Sequence, residues 1–116
     1  PISEGPITYR LNVGGEAWTF RLHWQDQVSD AHWMNVTYPQ DNEIHIFLNM
    51  NHPSFSPYLE QRGFLELVQK FVLALALAER LSRQITGNGH VAPGDFRNYM
   101  NRVLRYASDI EAEYGE

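Results

Sequence analysis

The sequence predicts a two-layer α+β fold: a four-stranded, mainly antiparallel meander sheet followed by two C-terminal helices packed on one of its faces. Three observations support this class. Residues 7–50 contain four short segments in which apolar and polar residues alternate, which is the period of a half-buried strand. Residues 57–85 contain a long Leu- and Ala-rich helical pattern, and residues 94–113 contain a shorter one. With a length of 116 residues we expect a single domain with one core, preceded by a tail at residues 1–6.

The first two strands are predicted to form a hairpin. Residues 7–13 and 18–24 alternate, and Gly14 and Gly15 between them supply the positive φ angles of a two-residue turn. Placing Val13 opposite Glu16 puts every apolar side chain of both strands on one face. The pairs are then Leu11 with Trp18, Tyr9 with Phe20, and Ile7 with Leu22.

The third and fourth strands are predicted at residues 34–38 and 44–50, joined through the turn-forming residues 39–42. A plain four-residue loop would place Val36 opposite His45, on the wrong face. We therefore expect an odd loop or a bulge that pairs Val36 with Ile46 or Ile44.

The long helix is predicted at residues 64–85, with residues 57–62 as a separate turn because Gly63 weakens helicity. Its sheet-facing side is expected to hold the residues at three- and four-residue spacing: Phe64, Leu67, Val68, Phe71, Leu75, Ala78 and Leu81. Leu73 and Leu77 fall on the opposite line, with Glu66, Gln69 and Lys70. They are left for the last helix or for another molecule to cover.

The last helix is expected to begin between residues 93 and 96, after a cap at Gly87-Asn88-Gly89, and to end near Glu113. The acidic residues 109–116 are expected to fray. No linker or repeat divides the chain.

Composition narrows the function classes. The chain has no cysteine, which excludes thiol chemistry, and its net charge of −5 argues against a strong non-specific grip on nucleic acid. No segment approaches the ~20 apolar residues of a membrane-spanning helix. We expect a cytoplasmic protein with no membrane contact. Because the sequence begins at Pro1 without methionine, we also expect it to be part of a longer protein.

One polar cluster stands where the fourth strand ends: Asn49, Asn51 and His52. It is either a binding site or a set of side chains that satisfy backbone groups at the proline turn. The binding interpretation adds the last helix, whose Arg97, Asn101 and Arg105 would extend the cluster toward a ligand or a nucleic acid.

Catalytic, metal and cofactor sites are not predicted. No nucleophile and base stand at a matching spacing, and the glycine-rich phosphate-binding motifs are absent from the sequence. His23, His45 and Glu43 share the outward face of their strands and would approach one another only if strands two and four are neighbours. Their spacing matches none of the common zinc motifs.

The other candidate is a contact surface for a protein partner or for self-association. It consists of four apolar residues that the pattern places outside the core: Leu73, Leu77, Trp33 and Phe47.

Part of the chain, residues 18–105, also resembles a known group. A strand of the type I-x-I-x-x-N that ends in His-Pro-Phe, followed by an Ala/Leu-rich helix, is similar to the C-terminal region of large bacterial GHKL ATP-binding proteins, the superfamily of gyrase and the histidine kinases. Residues 43–55, 74–79 and 97–104 carry this resemblance, and residues 17–22 are similar to the hairpin strand of that group. Ser54 and Ser82 depart from its pattern.

The resemblance implies a non-catalytic C-terminal domain of a larger ATP-binding protein. The Asp-x-Gly-x-Gly motif and the glycine-rich lid that bind ATP in such proteins do not occur in this sequence. The chain is therefore not expected to bind ATP by itself.

Overall fold

The computed structural model describes residues 5–86 and 91–115, without the side chains of residues 84–86. It confirms an α+β arrangement in which a four-stranded sheet precedes two helices. The elements are β1 (Ile7–Val13), β2 (Glu16–Gln25), β3 (Met34–Gln40), β4 (Glu43–Asn49), a 3-10 turn (Ser56–Tyr58), α1 (Arg62–Thr86) and α2 (Pro93–Ala107).

The β1–β2 hairpin has the predicted register. Val13 lies opposite Glu16 and Leu11 opposite Trp18, as the alternation requires. The turn forms because Gly14 and Gly15 adopt φ angles of 59° and 86°, a region that other residues rarely enter.

The predicted meander is wrong. The strand order is β1-β2-β4-β3, so β4 lies between β2 and β3 and runs parallel to β2. Consecutive strands tend to be neighbours, but this is only a tendency. Here the connection at residues 26–33 is long enough to carry the chain past one strand position, and β4 then returns into the gap.

β3 and β4 pair antiparallel through the predicted bulge. Val36 lies opposite Ile46, on the inner face with Ile44 and Leu48, and the register then shifts between Thr37 and Gln40. The turn closes at Asn42, whose φ of 59° is one that Asn tolerates.

The last helix ends earlier than predicted, at Ala107 rather than near Glu113. The Ser108 hydroxyl donates to the Arg105 carbonyl at 2.9 Å, which satisfies a group left open at the helix end. The acidic tail does not simply fray, since Glu113 forms a two-bond antiparallel bridge with Thr8 at the edge of β1. The Gly87-Asn88-Gly89 cap lies outside the described residues.

The core lies between the inner face of the sheet and the helices. The side of α1 that faces the sheet is not the one that spacing predicted, because its buried residues include Leu65, Gln69 and Val72, while Leu67 and Phe71 are exposed. The buried Gln69 side chain accepts a hydrogen bond from the Trp24 indole N–H at 3.1 Å and donates one to the Tyr9 hydroxyl at 2.9 Å. These bonds join α1 to β2 and β1.

Leu73 and Leu77 do not form a surface strip. Both are 0% exposed in the core, so their assignment as interface residues is corrected. In the part of the chain that the structure describes, no helix is both long and apolar enough to cross a membrane.

Candidate interaction surface

The outward side of the first half of α1 carries an apolar strip, which we call the outer patch: Phe64, Leu67, Val68, Phe71 and Leu75. Leu67 is 56% exposed and Phe71 46% exposed, while the other three are half-buried. Among the described residues six large apolar side chains are exposed, and four of them, Tyr58, Leu67, Phe71 and Tyr114, are on α1 or close to its first half. The exposed apolar area is therefore concentrated here.

An apolar groove of about 360 Å³ runs beside Leu67 and Phe71. Its wall is built by the segment after β4, where Phe55 stands edge-on to Trp24 with ring centroids 5.4 Å apart and lies near Trp33 at 6.3 Å. Every lining side chain is apolar: Trp33, Phe55, Leu67, Val68, Phe71, Val72, Leu75 and Met100. Apolar grooves of this kind accommodate side chains of a partner rather than polar small molecules.

A second, partly polar cleft of about 770 Å³ lies on the other side of the same two residues, so Leu67 and Phe71 form a ridge between two depressions. The tail after α2 forms its far wall. Lys70 donates to the Ser108 carbonyl at 3.0 Å, and the Tyr114 hydroxyl donates to Glu66 at 3.0 Å. The Arg62 guanidinium lies 4.8 Å from the centroid of the Tyr114 ring.

The polar cluster at the end of β4 is bonded to the connection between β2 and β3 and to its own turn. The side chain of Asn49, which is 1% exposed, donates to the carbonyl of Val28 at 2.9 Å, and Asn51 donates to the carbonyl of Gln27 at 2.6 Å. His52 accepts from the Ser54 backbone N–H at 3.1 Å. These side chains satisfy backbone groups, as the alternative interpretation predicted.

The residues of α2 assigned to the same binding site are placed differently. Arg97, Asn101 and Arg105 are exposed and follow one another at four-residue spacing, so they share one side of α2. Within residues 5–86 and 91–115, no hydrogen bond or ring contact joins them to the turn after β4. The structure therefore does not bring the two halves of the predicted site into contact.

Trp33 and Phe47, the other predicted interface residues, lie on different sides of the sheet. Trp33 precedes β3 and turns toward the helices, where it lines the apolar groove. Phe47 stacks on His23 across the outer face of the sheet, with ring centroids 5.0 Å apart. Of the four predicted interface residues, Trp33 is the one beside the outer patch.

The outer face of the sheet brings His23, His45 and Glu43 together, because β2 and β4 are neighbours. His45 is bonded to Glu43 at 2.7 Å, and hydrogen bonds from His45 and Gln40 lower the pKa of Glu43. Partial burial lowers the pKa of His23, and the nearby His45 and Arg21 add to the effect. Among the residues that the structure describes, no group of three or more His, Cys, Asp or Glu side chains is placed to hold a metal ion.

Comparison with known proteins leaves the family open: no family model, curated protein or solved structure matches this chain.

Proposed function

We propose that this chain is a non-catalytic interaction module whose contact surface is the outer patch. The observation that carries the proposal is the exposure of Leu67 and Phe71 beside a groove lined only by apolar side chains. Contiguous apolar surface of this kind is uncommon on a monomer and is typical of protein contact sites. The exposed aromatic residues and Arg62 next to it belong to the residue types that dominate binding energy at interfaces.

The driving force for binding at the outer patch is the burial of its exposed apolar side chains. Complete removal from water of a Leu or Phe side chain contributes roughly 1.5–3 kcal/mol. Leu67 and Phe71 are each about half exposed, so a partner that covers them would gain about half of this burial free energy at each residue. A partner that covers both, together with the groove, would bind through hydrophobic contact.

Because the chain resembles the C-terminal region of GHKL proteins, the proposal includes that it is part of a larger ATP-binding protein. The module would belong to a cytoplasmic bacterial protein whose ATP-binding half precedes it. Reading the coding sequence before Pro1 tests this. An Asp-x-Gly-x-Gly motif there supports the assignment, and a start codon directly before Pro1 removes it.

The ligand- or nucleic-acid-binding alternative is less well supported. The amides of Asn49 and Asn51 are engaged by loop carbonyls, and the net charge is −5. Arg97 and Arg105 alone offer few phosphate contacts.

A photo-crosslinking amino acid at position 67 tests the interaction surface. We expect a protein adduct when the variant chain is irradiated in cells that produce the protein. The matched control places the same amino acid at Val28, an exposed apolar residue that belongs to neither groove. Adducts at position 67 and not at position 28 support the proposal, while equal or absent adducts at both overturn it.

A further inference from the structure

We infer that the occupant of the outer patch is a second copy of this chain, whose α1 packs antiparallel against α1 about a two-fold axis near Val68. The inference rests on the proposed function of the patch and adds the identity and orientation of the partner. Two-fold contacts are isologous, so one patch serves both copies and must be complementary to itself.

Charge complementarity supports a second copy. Glu66 and Lys70 stand one helical turn apart and line the same cleft, on the same edge of the ridge of Leu67 and Phe71. When two identical helices meet antiparallel, this edge of one helix faces the same edge of the other. Glu66 then lies opposite the partner's Lys70, and Lys70 lies opposite the partner's Glu66.

The apolar residues share nearly the same centre of symmetry. Residues 66 and 70 are symmetric about position 68, and Leu67 and Phe71 are symmetric about position 69. One axis between these positions brings both sets into register. The ridges of the two copies then pack against each other, and their apolar grooves lie next to each other on one side of the interface.

A parallel arrangement is disfavoured by the same charges. It would place the edge that carries Glu66 and Lys70 against the opposite edge of the partner's ridge, which is the apolar groove. Charged groups that face an apolar surface lose water without gaining a partner charge. Both groups keep capacity for the antiparallel contact. Lys70 uses one of three N–H donors on Ser108, and the Glu66 carboxylate has acceptor sites beyond those engaged by Tyr114 and Arg62.

Charge reversal separates a second copy from any other occupant. In Glu66→Lys both positions are positive, and in Lys70→Glu both are negative, so each variant repels itself in the antiparallel arrangement. In an equimolar mixture of the two, opposite charges face each other at every contact. The changes to contacts within each chain are the same alone and in the mixture, which makes each variant its own control.

Sedimentation velocity over about 5–500 µM measures the outcome. We expect the wild-type chain to dimerise, each variant alone to dimerise about tenfold more weakly or worse, and the mixture to recover dimers. Val28→Lys serves as a matched control and should dimerise like the wild type. Circular dichroism of every variant verifies that it is folded.

Three results would overturn the inference: a wild-type chain that stays monomeric over the whole range, variants that dimerise like the wild type, or a mixture no tighter than its components. A monomeric chain that is crosslinked to a different protein at position 67 refutes the second copy and leaves the interaction module standing. Absence of both dimer and adduct refutes both.

Discussion

The two halves of α1 both contain large apolar residues, and they differ in what covers those residues. In residues 72–78 every side chain except that of Leu75 is buried, with the sheet on one side and α2 on the other. In residues 62–71 the sheet side is buried at Leu65 and Gln69, but the outer side remains exposed at Leu67 and Phe71. Leu67 and Phe71 are as apolar as the buried leucines of residues 72–78, so hydrophobic character alone does not decide which residues are core.

Helix length explains the difference. α1 has 25 residues and α2 has 15, so the two helices measure about 37 Å and about 22 Å. The shorter helix cannot cover the longer one throughout. Past Ala107 only the tail continues alongside α1, and it contacts α1 through polar side chains such as Lys70 and Tyr114. The candidate interaction surface therefore lies where α2 ends.

The strongest test of this comparison is a matched pair of truncations in α1. Leu77→Ala removes a fully buried side chain and should lower the free energy of unfolding by about 2–5 kcal/mol. Leu67→Ala makes the same chemical change at an exposed position and should lower it by less than about 1 kcal/mol. Urea denaturation of dilute protein measures both, and equal losses would contradict the assignment of the two positions.

The buried side of the first half can be tested at Gln69. Gln69→Leu leaves the Trp24 indole N–H without an acceptor and removes the donor to the Tyr9 hydroxyl. We expect a loss of about 2–4 kcal/mol, because two buried polar groups lose a partner. Gln61→Leu, at an exposed position just before α1, is the control and should change stability by less than about 0.5 kcal/mol. Similar effects at both positions would show that Gln69 does not connect α1 to the sheet.

Local patterns predicted the strands well because alternation has a fixed period. The hairpin register and the bulge both follow from keeping apolar residues such as Leu11 and Val36 on one face. Strand order was not predictable in the same way, since the sequence of β4 does not determine which strands it pairs with. The choice depends on the long connection after β2 and on the packing of the whole sheet.

The sequence predicted exposed apolar residues on α1, but the exposed ones are Leu67 and Phe71 and not Leu73 and Leu77. An apolar excess on α1 indicated a contact site, but three- and four-residue spacing fits two faces of a helix that is apolar nearly all round. Gln69 misled the choice because a polar side chain was expected to face water. One signal in the sequence does point to the correct face. Tyr9 and Trp24 lie on the inner face of their strands, and their polar groups need a polar partner when buried, which a Gln on the sheet-facing side of α1 can supply.

The pH dependence of stability offers a further test on the buried side of α1. Burial raises the pKa of Tyr9 from 10.0 to about 12, with the Gln69 hydrogen bond acting in the opposite direction. The unfolded chain therefore loses this proton first. Between pH 10 and 12 the unfolded state binds fewer protons, so stability is complete below pH 10 and falls as the pH rises.

We expect the ionisation of Tyr9 to lower the free energy of unfolding by on the order of 2 kcal/mol between about pH 10 and about pH 12. Burial also raises the pKa of Tyr38, so part of the alkaline loss belongs to that residue. Urea denaturation at several pH values should show a smaller slope in Tyr9→Phe than in the wild type. Tyr58→Phe removes an exposed hydroxyl and should leave the slope unchanged. An unchanged slope in Tyr9→Phe would place the titrating group elsewhere.

The smallest expected effect concerns the tail that stands in for α2 beside the first half of α1. Arg10 forms an ion pair with Glu113 at 3.2 Å, and the two side chains are 63% and 57% exposed. Exposed pairs contribute about 0–1 kcal/mol, so Arg10→Gln should barely change global unfolding. Its effect should appear in hydrogen exchange, because the Glu113 backbone N–H is bonded to the Thr8 carbonyl at 2.7 Å and opens whenever the tail detaches. We expect the Glu113 amide to exchange several-fold faster in Arg10→Gln, while amides of α2 such as Val103 keep their wild-type rates. Equal acceleration at both positions would mean that the tail and α2 unfold as one unit. The two halves of α1 would then not be covered by independent segments.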